Sequence, residues 1–160
     1  MIVLPITITF AAAAGLLNLW IAIRIGMLRG RHKVLIGDGG NEALIARMRA
    51  QANFIEYTPF VLILLGLIEL AEGSMAWLWV VGILYIFARI AHVFGMDRPT
   101  HNALRGIGAG VSMLATLGLA VYALTIVYRH RPNPDRVTYV AADQPVPNMV
   151  SATKGLVRRS

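Results

Sequence analysis

The chain has 160 residues, 57% of them hydrophobic and only 14% charged, with a mean hydropathy of +0.64, whereas soluble domains carry roughly a quarter charged residues. This composition excludes an ordinary water-soluble domain, and the lack of cysteine excludes disulfides, thiolate metal sites and a cysteine nucleophile, so any thiol must arrive with a ligand. The formal charge of +7 gathers in three places, Arg24 to Arg49, Arg89 to Arg105 and the end of the chain after Tyr128, where basic residues interrupt apolar runs; that fits membrane loops and anionic ligands rather than nucleic acid.

Ile2 to Ile23 is apolar apart from Pro5, Thr7, Thr9, Gly15 and Asn18, long enough to cross about 30 Å of hydrocarbon as a first helix. It lacks the basic start of a signal peptide and is expected to be retained. From Arg24 to Asn41, five glycines and a basic cluster (Arg24, Arg29, Arg31, His32, Lys33) predict a solvent-side loop. Asn41 or Gly40 can cap a second helix over Glu42 to Leu70, polar in its first half and apolar from Phe54 onward. Pro59 is expected to kink it.

Glu72-Gly73-Ser74 is a tight, non-basic connection to a third helix, Met75 to Met96, whose Trp77 and Trp79 suit a membrane interface. A short segment with Asp97, Pro99 and His101 leads to a fourth helix, Leu104 to Tyr128. These elements predict an all-α integral membrane protein, a four-transmembrane-helix bundle over residues 1–129. Residues 130–160 are expected to be a basic, proline-containing tail without a core of its own. The basic loops after helices one and three predict a cytoplasmic side for both, with the termini outside.

Charged side chains inside spanning helices are costly and face a bundle interior or a wet cavity. Arg49, Asn53 and Glu56 fall within about 60° of one another on helix two, and Arg47 and Gln51 on roughly the opposite side. Tyr85, Arg89, His92 and Met96 make a stripe on helix three, and Arg105, Ala109, Ser112 and Thr116 another on helix four. Gly106, Gly108 and Gly110 allow close helix contact. Glu56 can pair with Arg49 or with Arg89 to tie helices together. Eight arginines (24, 29, 31, 47, 49, 89, 98, 105) nevertheless face only four acids (Asp38, Glu42, Glu56, Asp97) at this side. The surplus calls for anions: lipid phosphates beside Arg29, Arg31 and Lys33, and a small ligand beside Arg49 and Arg105.

The segment Arg47-Met48-Arg49-Ala50-Gln51-Ala52-Asn53-Phe54-Ile55-Glu56-Tyr57-Thr58-Pro59 resembles the second-helix signature of the MAPEG family, the membrane-associated proteins in eicosanoid and glutathione metabolism. Phe87-Ala88-Arg89, His92, Gly95 and Arg105 resemble further family positions, and the likeness spans about Ile2 to Arg129. It implies a bacterial-type, inner-membrane homotrimer that binds glutathione between subunits and acts on a lipophilic substrate. By position, Arg29, Arg31, Arg49, Gln51, Asn53, Glu56, Tyr57, Arg89 and His92 would bind glutathione, and Arg105 would activate its thiol. Glu56 would take the ammonium, arginines the carboxylates, and a guanidinium beside the sulfur would favour thiolate. Met96 and Ala109-Gly110 stand where eicosanoid-forming members carry tyrosines, a departure that separates this chain from their substrates.

The expected activity is therefore that of a glutathione transferase or peroxidase. A non-catalytic subunit, whose arginine belt and tail bind lipids or a partner complex, is the alternative. A transporter is disfavoured, since no inverted repeat is visible. No metal site is expected, because His92 and His101 lie on different elements without a third ligand.

Overall fold

Pro5, with its fixed φ and missing N–H, suits the first turn of a helix, and α1 runs from there to His32 in the computed structural model, which describes residues 3–100 and 102–129. The remaining helices are α2 (Glu42–Glu72), α3 (Ala76–Met96) and α4 (Ala103–Arg129). All four are long and apolar enough to cross a membrane, and the chain is a multi-pass membrane protein. His101 and the tail expected over residues 130–160 lie outside the described residues.

The helices alternate in direction. At one end Arg24 of α1 and Arg47 of α2 both bind Asp97, the residue capping the C-terminus of α3; at the other, Glu69 of α2 binds the start of α1. Large apolar side chains such as Leu16, Leu114 and Leu124, each 70% exposed, lie on the outer surface of the helices. Inside, one apolar cluster packs α1 against α2 and α3 around Leu17, Ile21, Phe54 and Val93, and a second gathers Ile6, Phe10, Leu65, Tyr85 and Leu119. Lipid is as apolar as these cores, so close packing and polar ties between helices have to provide specificity. Thr58 and Tyr85 share one such buried hydrogen bond of 2.9 Å.

The first helix is longer than Ile2 to Ile23. The expected loop from Arg24 loses its first nine residues to α1, which ends only where Lys33 turns left-handed at φ 57° and the amides of Lys33 and Val34 bond back to Gly30 and Arg29. Arg24 does not end the helix because its charge is spoken for: it binds Asp97 and lies over the Trp20 ring at 4.6 Å. Ile25 and Leu28 meanwhile continue the buried stripe of Leu17 and Ile21. Asn41 is the cap of α2, its Oδ1 accepting the Leu44 amide at 3.0 Å. α2 continues as one helix through Pro59. The ends of α2, α3 and α4 fall within two residues of expectation, and α1 begins three residues after Ile2.

Glu69 is the strongest polar tie and one the sequence did not single out. It is 2% exposed and its carboxylate accepts the Ile6 and Thr7 amides (2.9 and 2.8 Å) and the Thr7 and Ser74 hydroxyls (both 2.7 Å). Leu4, at the N-cap of α1, offers no side-chain acceptor. A carboxylate from another helix thus fills that role at the positive end of the α1 dipole.

Candidate functional site

Helical spacing places Arg49, Asn53 and Glu56 along one edge of α2, and that edge faces His92 and Met96 of α3 and Arg105 of α4. Together with Ala52 these residues line a cavity of about 200 Å³. The opposite edge of α2 is occupied by the chain's own helices: Arg47 donates to Asp97 (3.1 Å) and to the Arg24 carbonyl (3.1 Å). Asp97 takes both Arg24 and Arg47, and neither Arg49 nor Arg105 draws on it.

Glu56 does not form the interhelical ion pair that its neighbours allow. Arg89 instead donates to Asn53 Oδ1 at 2.9 Å and to Ser112 Oγ at 3.1 Å, with its guanidinium 5.6 Å from the centre of the Phe54 ring. Arg89 is 0% exposed, and its Nε is buried without a hydrogen-bond partner. A full positive charge is therefore held beneath the cavity by neutral groups. The cavity wall above it carries two guanidiniums against one carboxylate, so the local balance is cationic even before Arg89 is counted.

Arg105 is positioned by its backbone. Its amide donates to Asn102 Oδ1 (3.1 Å), the N-cap arrangement for a helix starting at Ala103, while Asn102 Nδ2 donates to the Gly95 carbonyl at the end of α3 (2.8 Å). The Arg105 carbonyl meets His92 Nδ1 at 3.2 Å. Glycine is required where the helices touch: a Cβ on Gly95 would lie 2.4 Å from the Arg105 nitrogen, and one on Gly108 would lie 2.6 Å from the Ala88 carbonyl oxygen. Of the three glycines expected to permit contact, Gly108 does so, whereas Gly106 and Gly110 face open space. Gly108→Ala is expected to cost about 1–3 kcal/mol through overpacking against backbone that cannot retreat. Gly110→Ala should leave stability unchanged; thermal unfolding in detergent checks the pair, and equal behaviour would contradict this contact.

The structure thus brings together Arg49, Asn53, Glu56, His92 and Arg105, with Arg89 directly behind Asn53. Arg29, Arg31, Gln51 and Tyr57 lie outside this lining: Arg29 reaches the Leu35 carbonyl and the Met48 sulfur, both at 3.5 Å, and Arg31 is exposed. Asn102 is the functional residue that sequence reasoning missed, although an Asn just ahead of a new helix is a standard cap signal. Among the described residues no three His, Asp or Glu side chains cluster as a metal site would need. The arrangement is suited to a small zwitterion with more negative than positive charge, and to stabilising an anion beside Arg105.

A family model described as the MAPEG family matches residues 7–125. The chain is also similar to the protein named Inner membrane protein YecN from Escherichia coli strain K12 and from Escherichia coli O6:H1 strain CFT073. Each match is 28% identical over 104 residues, covering 64% of this chain and 76% of the relative.

Proposed function

This chain belongs to the MAPEG family, and on that premise we propose that it is a glutathione-dependent transferase or peroxidase of a bacterial inner membrane, acting as a homotrimer on lipophilic electrophiles or hydroperoxides. The observation that carries the reading is the cavity in which Arg49, Glu56 and Arg105 face one another without forming ion pairs. Glutathione has two carboxylates and one ammonium, so two guanidiniums and a carboxylate are its complement. A site for lipid phosphate alone has no use for Glu56, which favours the enzyme over the lipid-binding subunit. Arg29, Arg31, Gln51 and Tyr57 would join the site from a neighbouring protomer.

In this reading Glu56 binds the ammonium, Arg49 a carboxylate, and Arg105 the sulfur. An arginine stays protonated and cannot accept the thiol proton, so the proton leaves to water while Arg105 stabilises the thiolate that remains. The thiolate sulfur then forms a bond to an electrophilic carbon as that carbon's bond to its leaving group breaks, the leaving group departing with the electron pair and taking a proton from water. With a hydroperoxide it attacks the outer oxygen instead, releasing an alcohol, and a second glutathione converts the resulting sulfenic acid to disulfide and water. Calorimetry in nanodiscs tests the binding step: Glu56→Gln should weaken glutathione by about tenfold or more through loss of a charge-assisted contact. A parent protein that takes up no glutathione overturns the reading.

A further inference from the structure

Met96 supplies the cavity with a group that the reading above leaves unused, a thioether. It is 8% exposed and belongs to the apolar cluster around Val93 and Phe54, yet it also lines the cavity with Arg49, His92 and Arg105. Gly95, the residue before it, abuts the backbone of Arg105. A second cavity, of about 530 Å³, borders Met96 as well, beside Asn41, Glu42 and Arg98, so the side chain meets solute-sized space on two sides. The other methionines stand differently. Met27 and Met113 are 53% and 57% exposed on the outer surface of the helices, the Met48 sulfur accepts a hydrogen bond from Arg29 at 3.5 Å, and Met75 precedes α3 at the opposite end of the bundle.

From this juxtaposition of a thioether with two guanidiniums that form no ion pair among the described residues, we propose that Met96 is a modification site, oxidised to its sulfoxide by small hydroperoxides that enter the cavity. The sulfur lone pair attacks the outer peroxide oxygen and the O–O bond breaks, its electron pair leaving on the inner oxygen as alkoxide. The hydroxyl proton now on sulfur passes through water to that alkoxide, so thioether and hydroperoxide become sulfoxide and alcohol. The sulfur is oxidised and the peroxide reduced by the same two electrons. Negative charge develops on the departing oxygen, and Arg49 and Arg105 stand ready to stabilise it without reorganising. Met27 and Met113, on the outer surface, lack such a pair. Oxidation inside an apolar core strands a polar oxygen; here the same guanidiniums donate to it. The sulfoxide then stays in the cavity, in the place an anion would take.

The test incubates the full chain in nanodiscs with tert-butyl hydroperoxide and no thiol, and follows oxygen uptake at each methionine by peptide mass spectrometry. Met96 should gain one oxygen about tenfold or more faster than Met27 and Met113, despite their exposure. Arg105→Ala should slow Met96 by about tenfold or more and leave Met27 and Met113 at the parent rate, while Arg105→Lys restores part of the loss. Unfolding the parent in sodium dodecyl sulfate should bring all the methionines to a common rate. The proposal is overturned by Met96 reacting no faster than the exposed pair, by a preference that survives unfolding, or by an Arg105→Ala variant that keeps the parent rate at Met96. Because no thiol enters the measurement, such a failure leaves the glutathione reading standing, and a chain that takes up no glutathione can still oxidise Met96 first.

Discussion

Arg105→Ala should abolish the ultraviolet absorbance that a bound glutathione thiolate contributes, while the protein stays folded. The structure separates these two effects. The interactions that fix this position use the Arg105 amide and carbonyl, bound to Asn102 and His92, and alanine keeps both. What is lost is the guanidinium at the cavity wall. Deleting one preorganised group that stabilises a developing anion typically costs about 100- to 1,000-fold in rate, and the midpoint for thiolate formation should move to higher pH, since the group favouring the charged form is gone. Arg105→Lys should recover part of the signal because it restores a cation without the planar fork. Stopped-flow absorbance across pH reads all three proteins. If parent and alanine variant form thiolate equally, Arg105 has no such role.

Glu69→Ala should produce the largest loss of stability. The substitution removes a buried acceptor of four hydrogen bonds and leaves the Ile6 and Thr7 amides without partners at the start of α1. Breaking a buried charged network of this kind costs about 3–5 kcal/mol. Glu69→Gln should fall between, since an amide oxygen still accepts while its NH₂ faces donors. Thermal or denaturant unfolding in detergent measures the series. An alanine variant as stable as the parent would show that the α1 start is held by packing alone. Because Glu69 lies at the opposite end of the bundle from Arg105, thiolate formation per folded molecule should not change.

The four spans were legible because their length and apolarity report directly on the bilayer, and the stripe Arg49, Asn53, Glu56 was legible because helical spacing is local. What joins that stripe to Arg105 was not. The register of α4 against α3 depends on Gly95, Gly108 and Asn102 acting at once, and spacing within one helix carries no information about its offset from the next. The same limit explains α1: a loop was expected at Arg24 because its acid, Asp97, stands 73 residues away. Glu69 escaped notice for a similar reason, with partners 62 and 63 residues distant. A lone acid deep in an apolar span is nevertheless a signal in itself, since it has to find donors somewhere.

The guanidinium of Arg89, walled in by an amide, a hydroxyl and a phenyl ring, forms no ion pair among the described residues. Such a charge lowers the free energy of any anion that settles above it, and the anion in return relieves the cost of keeping the charge out of water. Ligand uptake and resistance to unfolding are then two readings of one electrostatic debt, so the protein's melting temperature should climb with the concentration of the anion it prefers.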